Sequence, residues 1–203
     1  MSARDEILGR IRSALADVPA AESVAVPRDY RTRLDVGSTV DLFTETVADY
    51  KATVRSAAAG EVGPAVRSIL AERGISRVGV PSDLPVEWRP EGAVPDTGLT
   101  TAELDRLDGA VTGAALGIAL TGTIVLDGGP RQGRRALTLV PDYHLCIVQS
   151  AQIVGSLPEA MSRLSPDRPL TFISGPSATS DIELNRVEGV HGPRTLDVLI
   201  VPS

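Results

Sequence analysis

The stretch VRSILAERGISRVGVP, residues 66–81, carries the clearest indication of fold class. Its first half repeats apolar residues at helical spacing, and Gly74 stands where a left-handed residue would end that helix. Residues 76–80 then predict a strand that stops at Pro81. A helix, a glycine and a strand in this order are typical of α/β units, so we expect an α/β fold built on a mostly parallel sheet.

Two further helices are predicted on the N-terminal side of this stretch. Apolar residues repeat at helical spacing in the segment 7–15, and a second helical pattern covers residues 42–54. Residues 17–38 lose this period and gather prolines and a glycine, which indicates a linker. We therefore expect a helical arm over residues 1–38 and a single α/β domain over residues 39–203. The first helix either packs on its own domain, the commoner arrangement in a chain of this size, or contacts another protein.

The C-terminal side is richer in strand patterns and in glycine. Residues 81–100 carry no regular pattern, and Thr100 or Thr101 is placed to cap a brief helix over residues 103–107. Another helix is predicted over residues 158–164, with a proline in its first turn. The predicted strands are 118–126 with a glycine in its middle, 136–140 as its partner after a turn at 127–130, and then 145–148, 170–173 and 196–201. The continuous apolar run of the last strand suits the centre of a sheet.

The composition excludes several classes of function. The chain has 26 acidic and 20 basic residues, so its net charge of −6 disfavours nucleic acid as a partner. The longest apolar runs are too short for a membrane span, and no apolar signal core follows the N-terminus, so we expect a cytoplasmic protein.

The cysteine and histidine content limits metal and redox chemistry. The single cysteine, Cys146, lies in an apolar strand pattern and predicts a packed, inert thiol. One cysteine and two histidines cannot ligate a four-thiolate iron–sulfur cluster or a structural zinc ion. We therefore expect no cofactor and no metal in this chain, and any redox centre on another protein.

The segment SGPSATSDIE, residues 174–183, predicts an anion site. It follows a predicted strand, and ligands of open α/β sheets bind beyond the carboxyl ends of strands. A glycine allows close backbone approach, and hydroxyl groups gather where a helix is expected to begin. The candidate ligand-binding residues of this segment are Gly175, Ser177, Thr179 and Asp181. Alternatively, Thr179 or Ser180 only caps that helix, and the acidic residues complement its dipole.

The segment EGVHGPR, residues 188–194, places a histidine between two glycines. This leaves the imidazole of His191 poorly shielded, so His191 is our candidate acid or base. Gly192 adds backbone freedom beside it, and Arg194 is placed to hold a carboxylate or phosphate through two parallel hydrogen bonds. Alternatively, the glycines only shape a tight loop, His191 bonds a backbone carbonyl, and Arg194 forms a surface ion pair.

Three other places allow both a functional and a structural interpretation. Gly122 interrupts a strand between Thr121 and Thr123, which marks close approach either of a ligand or of another backbone. The basic cluster RQGRR, residues 131–135, suits an anionic substrate but is more often a solvated turn. His144 borders the strand of Cys146 and is predicted to be a hydrogen-bonded structural histidine rather than a base.

Four motifs together resemble one known family. They are ALTGT at 119–123, PDYH at 141–144, and the two segments at 174–183 and 189–194. They resemble the lactate-utilisation protein C family, also called the LUD domain, over essentially the whole chain. The last two motifs are the most specific in order and spacing. Leu120 departs from the family pattern, in which many members have an acidic residue, and this weakens the chemistry if that acid serves the ligand.

The resemblance implies a Rossmann-like fold related to sugar-phosphate isomerases, coenzyme A transferases and 5-formyltetrahydrofolate cyclo-ligases. It also implies a role in oxidising L-lactate to pyruvate alongside separate iron–sulfur proteins. This oxidation needs a base and a carboxylate clamp, for which His191 and Arg194 are candidates, and an electron acceptor. The sequence has no G-x-G-x-x-G motif opening a helix for a dinucleotide. The resemblance thus favours a non-redox component that binds a small carboxylate or phosphate and works with iron–sulfur partners.

Two other functions stay open. One is a stand-alone isomerase, transferase or ligase acting on a phosphorylated or carboxylated metabolite, with Ser177 and Thr179 as the anion cradle and His191 as acid or base. The other is a scaffold or regulatory protein without catalysis, which docks partners through its first helix or an apolar surface. The residues do not fix the oligomeric state, so a homo-oligomer remains open.

Overall fold

A computed structural model describes residues 2–18, 25–27, 29–176, 178–180, 186–188 and 191–203, with 178–180 and 186–188 described by their backbone. The chain divides into two compact units, Met1–Arg31 and Thr32–Ser203. The first unit contains helix α1, Ala3–Ala14, which confirms the predicted N-terminal helix. A capping box begins it, because Ser2 Oγ accepts from the Asp5 N–H while the Asp5 carboxylate accepts from the Ser2 N–H. What this helix packs against stays a prediction.

The second unit carries the remaining helices and all of the described strands. Its helices are α2 Thr39–Asp49, α3 Val62–Arg73, α4 Thr101–Leu104 and α5 Leu157–Arg163. Its strands are β1 Thr53–Ser56, β2 Val78–Pro81, β3 Val94–Asp96, β4 Gly109–Gly113, β5 Leu116–Ile118, β6 Thr123–Leu126, β7 Tyr143–Gln149, β8 Ile153–Val154, β9 Thr171–Ile173, β10 Ala178–Ser180, β11 Arg186–Glu188 and β12 Thr195–Val201. The main sheet has the order β1-β12-β7-β4-β2-β3, and every neighbouring pair in it is parallel. The predicted α/β fold on a parallel sheet is confirmed.

The core lies on both faces of this main sheet. Alternate residues of β7 point to opposite faces, so Cys146 packs with Phe43 of α2 while Leu145 packs with Ile69 of α3. Strand β12 lies between β1 and β7, inside the sheet, as its continuous apolar run predicts. Burial raises the pKa of the Cys146 thiol to about 12, in agreement with the predicted inert cysteine.

Two smaller groups of strands complete the second unit. A four-stranded sheet has the order β8-β5-β6-β9, in which β6 is antiparallel to both β5 and β9. Strands β10 and β11 pair with each other in antiparallel fashion. Helix α3 ends at Gly74, which has a left-handed backbone with φ of 69°, and Thr100 caps α4, both as predicted. Helix α4 covers Thr101–Leu104, so it begins and ends earlier than the predicted helix over residues 103–107.

The helix predicted over residues 42–54 is wrong at its C-terminal end. Helix α2 ends at Asp49, and the backbone then turns through Lys51, whose φ is 66°. Thr53 and Val54 belong to β1 and pair with β12, which lies far away in sequence. The spacing of their side chains is compatible with a helix, but the pairing partner selects the strand.

The strand predicted over residues 136–140 is also wrong. Residues Arg135–Thr138 form a 3₁₀ helix, and β6 takes β5 and β9 as its partners instead. Leu137 is fully buried against Leu104 and Ala110, so its apolar character reflects packing of a helical turn rather than a place in a ladder.

The helix expected to begin at Thr179 or Ser180 is wrong where the structure describes it. Both residues belong to β10, which is paired with β11. The rest of that expected helix, residues 181–184, lies outside the described residues.

Candidate functional site

A cavity of about 320 Å³ is enclosed by the segments that precede β7 and β12, together with β9 and the loop after it. Its polar wall carries Arg135, Thr138, His144, Ser174 and His191, and its apolar wall includes Leu139, Phe172 and Ile173. A volume of this size is sufficient for a small metabolite. The sequence analysis placed candidate ligand-binding residues in the segments 174–183 and 188–194. In their described parts, residues 174–176 and 191–193, both segments line this one cavity.

The cavity lies at the amino-terminal edge of the main sheet, because its wall is built from residues at and before the starts of β7 and β12. The loop 174–176 follows the carboxyl end of a strand, β9, as expected, whereas the loop 191–193 precedes a strand, β12. The strand that ends at Ile173 belongs to the smaller mixed sheet, where it is antiparallel to β6. The rule for parallel α/β sheets therefore does not apply to it.

Arg135 supplies the permanent charge of the cavity wall. Neither aspartate nor glutamate is found among the described residues that line it. In the described part of the chain, the exposed guanidinium of Arg135 forms no ion pair, whereas that of Arg134 is 2.7 Å from Asp96. Arg135 is thus available to hold a carboxylate or phosphate through two parallel hydrogen bonds. The sequence singled out the basic cluster 131–135 but gave no sign of which arginine faces a cavity.

A row of three hydroxyl groups reaches the cavity wall. Ser174 Oγ lies 2.9 Å from Thr123 Oγ1, which lies 2.8 Å from Thr121 Oγ1. Each hydroxyl can both donate and accept, so Ser174 can present either a proton or a lone pair to a ligand. Thr121 and Thr123 therefore support the cavity from behind and do not line it.

His144 is a buried, neutral part of the wall. Its Nε2 lies 2.8 Å from Thr112 Oγ1, and the Thr112 hydroxyl donates its proton to the Gly113 carbonyl at 2.9 Å. Since a hydroxyl has one proton, His144 Nε2 is the donor in this pair and Nδ1 is the acceptor of the ring. Burial lowers the pKa of His144 to about 4, so the ring is uncharged at neutral pH. The prediction of a hydrogen-bonded structural histidine is confirmed.

Comparison with known proteins places this chain in a family. Residues 40–201, most of the chain, match the LUD domain family. The chain belongs to this family. The resemblance drawn from the four motifs is thus confirmed.

Several proteins are similar to this LUD domain chain. A protein named Lactate utilization protein C from Deinococcus radiodurans is 45% identical over 166 residues, which cover 78% of this chain and 77% of that protein. Another of the same name, from Halalkalibacterium halodurans, is 36% identical over 97 residues, which cover 44% of this chain and 42% of that protein. The crystal structure of a DUF162 family protein from Deinococcus radiodurans has a TM-score of 0.70 at 36% identity, covering 83% of this chain and 99% of that chain.

Two glycines predicted to approach a ligand serve packing in this LUD domain. A Cβ on Gly122 would lie 2.6 Å from the Thr46 carbonyl of α2, and a Cβ on Gly175 would lie 2.6 Å from Tyr50 Cβ. Both have positive φ, 56° and 86°, which glycine adopts without strain. Gly175 also lines the cavity, together with His191 and Gly192.

The predicted clamp, Arg194, is engaged with a carboxylate of its own chain. Its Nε and Nη2 donate to the two carboxylate oxygens of Asp142 at 2.7 and 2.5 Å. This pair ties the segment before β12 to the segment before β7, and it lowers the pKa of Asp142. Arg194 therefore takes the structural interpretation given above, as an ion pair near the surface.

The side chains of three predicted ligand-binding residues lie outside what the structure describes. Ser177 and Asp181 lie outside the described residues, and Thr179 is described only by its backbone in β10. The side chain of Leu120 is about half exposed and is not part of the cavity wall.

Within the described ranges, His, Cys, Asp and Glu side chains form no group of three or more that could hold a metal ion. None of the helices described has both the length and the apolar character that a membrane crossing requires.

Acidification is expected to destabilise the protein through His144. The unfolded chain takes up a proton near the ordinary pKa of 6.5, whereas the folded chain does so only near pH 4. The stability present above pH 6.5 is therefore lost as the pH falls toward 4, by up to about 1.4 kcal/mol for each pH unit. Urea unfolding at several pH values measures this, and His144→Gln should reduce the slope. Equal slopes in the wild type and in His144→Gln would contradict a buried neutral His144.

Proposed function

We propose that this LUD domain protein is a component of an L-lactate utilisation system, in which L-lactate is oxidised to pyruvate. The observation that carries the proposal is the 45% identity, over most of both chains, to a protein named Lactate utilization protein C. The match of residues 40–201 to the LUD domain family supports it.

In this proposal the chain is the non-redox component of the system. Conversion of L-lactate to pyruvate removes two electrons and two protons, so an electron acceptor is required. One cysteine and two histidines are too few to ligate an iron–sulfur cluster of the four-thiolate type. As the family resemblance implies, separate iron–sulfur proteins accept the electrons, and this chain binds and orients the acid.

The cavity of about 320 Å³ is the proposed binding site for a small carboxylate or phosphate anion. The guanidinium of Arg135 holds the carboxylate, in the role that the sequence assigned to Arg194. The hydroxyl of Ser174, supported by Thr123 and Thr121, binds the 2-hydroxyl group of the ligand. The apolar wall receives the methyl group, and His191 accepts the hydroxyl proton. The backbone of Gly175 and Gly192 closes the wall around the ligand.

Co-purification tests the proposed assignment. The tagged chain is isolated from cells grown on L-lactate, and the iron content and the lactate-dependent reduction of an artificial acceptor are measured. We expect iron and activity in the complex and neither in the chain purified alone. Oxidation of L-lactate by the isolated chain would instead favour a self-sufficient enzyme. Normal growth on L-lactate after deletion of the gene would contradict any role in lactate utilisation.

Arg135→Gln is expected to weaken binding of L-lactate about tenfold or more, because a hydrogen-bonded ion pair with the carboxylate is lost. The fold should be unaffected, since the Arg135 side chain is exposed and forms no ion pair in the described chain. Isothermal titration measures the affinity.

The matched control is Arg106→Gln, which removes the same charge at an exposed position outside the cavity wall. Equal weakening in both variants would mean that only the overall charge matters. Undiminished binding in Arg135→Gln would place the carboxylate elsewhere.

A further inference from the structure

A second cavity, of about 290 Å³, lies at the opposite edge of the main sheet. Part of its wall follows the carboxyl ends of two strands of that sheet. Ala114 comes directly after β4, and Ala151 and Gln152 come shortly after β7. The turn after β6 and the end of α5 complete the wall. Among the described residues of 174–176 and 191–194, none of the predicted functional positions lies in it.

Positive charge dominates the wall of this second cavity. Arg131, Arg163 and Arg168 line it, and Asp127 is the carboxylate among its described residues. Arg168 Nη1 lies 3.0 Å from Asp127 Oδ2, so this pair is neutral as a whole, and the guanidinium groups of Arg131 and Arg163 form no ion pair with the described residues. Such a concentration of arginine is unexpected in a chain whose net charge is −6. An anion is the ligand that this wall favours.

Arg131 is held in place by a strained backbone. Its φ is 65°, in the left-handed region that residues with a side chain rarely adopt. Two strong hydrogen bonds keep it there, because its N–H donates to the Asp83 carboxylate at 2.7 Å and its carbonyl accepts from the Gly113 N–H at 2.7 Å. Its guanidinium lies 5.6 Å from the centre of the Trp88 ring. Strain of this kind persists where the surrounding structure enforces it and is frequent at ligand sites.

The position of Arg131 in the sheet topology supports the same conclusion. Strands β2 and β4 are neighbours in the main sheet. After β2 the chain goes to β3, which lies on the far side of β2 from β4, and after β4 the next strand of this sheet is β7, which lies on the far side of β4 from β2. Neighbouring strands β2 and β4 thus form the point at which the strand order reverses, where ligands of open α/β sheets bind. The two partners of the Arg131 backbone, Asp83 and Gly113, stand at the carboxyl ends of these two strands.

We propose that this arginine-lined cavity binds a phosphate dianion, either free or carried by a small metabolite. The two guanidinium groups of Arg131 and Arg163, which form no ion pair with the described residues, match a doubly charged group. The Arg163 side chain is exposed and makes only a 3.3 Å hydrogen bond to the Ala151 carbonyl, so it can turn toward a ligand. This site is separate from the proposed lactate site and does not depend on it.

Isothermal titration of the full chain with inorganic phosphate tests the proposal, at constant ionic strength set with chloride. Glycerol 3-phosphate and acetate are titrated in parallel. We expect saturable binding of inorganic phosphate or of the ester, with acetate at least tenfold weaker because it carries one charge. Tighter binding of the ester identifies a phosphorylated metabolite, and tighter binding of phosphate itself identifies the free ion. Absence of saturable binding of both, or binding of acetate as tight as that of phosphate, would overturn the proposal.

Two variants localise the site. Arg131→Gln and Arg163→Gln should each weaken phosphate binding about tenfold or more, with unfolding temperatures close to that of the wild type. Arg131→Gln retains the backbone hydrogen bonds of the position, and Arg163→Gln changes an exposed side chain. Arg106→Gln, at an exposed position outside both cavity walls, should leave phosphate affinity unchanged. An equal loss in Arg106→Gln, or no loss in both cavity variants, would remove the site from this cavity, independently of the outcome for L-lactate.

Discussion

Replacing Arg73 with methionine is expected to lower the free energy of unfolding by about 3 kcal/mol, because it leaves a charge buried without its partner. Asp197 lies in the middle of β12 with its side chain 1% exposed. Arg73 donates to both of its carboxylate oxygens, at 2.7 and 2.9 Å, and the Tyr143 hydroxyl donates at 2.9 Å. Burial beside this carboxylate raises the pKa of Tyr143, so its hydroxyl stays protonated and continues to donate.

Urea unfolding at pH 7 measures the effect of Arg73→Met. Arg55→Met is the matched control, since Arg55 pairs with Glu72 in solvent at the end of the same helix α3, and it should cost a small fraction as much. Adding Asp197→Asn to Arg73→Met should recover part of the loss, because no charge then remains buried. If Arg73→Met and Arg55→Met lowered the free energy of unfolding equally, burial of Asp197 would not be the cause of the destabilisation.

Replacing Gly122 with alanine is expected to cost about 3 kcal/mol, from a left-handed backbone and a steric clash together. Its φ is 56°, and the added Cβ would lie 2.6 Å from the Thr46 carbonyl and 2.8 Å from the Val47 N–H. Helix α2 cannot move away easily, because Thr46 Oγ1 also donates to the Ala119 carbonyl at 2.7 Å and Val47 is fully buried.

Gly128→Ala separates the two causes. Gly128 has a similar φ of 66°, but a Cβ there would meet nothing within 4 Å. Gly128→Ala should therefore lower the free energy of unfolding only by the cost of a left-handed backbone at a residue with a side chain, about 1 kcal/mol. The difference in urea unfolding between the two variants measures the close approach of α2, and identical losses would show that the helix yields.

The two cavities divide the chemistry of this LUD domain between opposite edges of one sheet. Among the described residues, the cavity at the amino-terminal edge has one arginine, hydroxyl groups and an apolar wall, and the cavity at the carboxyl-terminal edge has three arginines around one aspartate. Both draw on the basic cluster 131–135, because Arg131 faces one cavity and Arg135 the other. The residues between them have structural partners, such as Asp96 for Arg134.

Features with a local cause could be predicted from the sequence. Gly74 ends α3 because only a residue without Cβ adopts the left-handed cap at no cost, and Thr100 begins α4 because its hydroxyl accepts from the Glu103 N–H. The apolar run of β12 predicts an interior strand for an equally direct reason, since both of its faces are covered.

Strand β4 shows why other elements could not be predicted. Its sequence GAVTG has little strand character, but a Cβ on Gly109 would lie 2.7 Å from the ring of Tyr143. Its small residues are therefore selected by the closeness of β7, which is a property of the assembled sheet.

The sequence by itself determined the α/β class, the end of α3 at Gly74, the cap of α4 at Thr100, the family, and the segments that contribute residues 174–176 and 191–193 to the cavity wall. Only the tertiary structure decided that Arg194 is bound to Asp142, that Arg135 faces the cavity, and that the cavity lies at the amino-terminal edge of the sheet. The physical reason is the range of the interactions. Caps and turns depend on neighbours within a few residues, whereas ion pairs and cavity walls join residues that are tens of positions apart and take their partners only when the chain has folded.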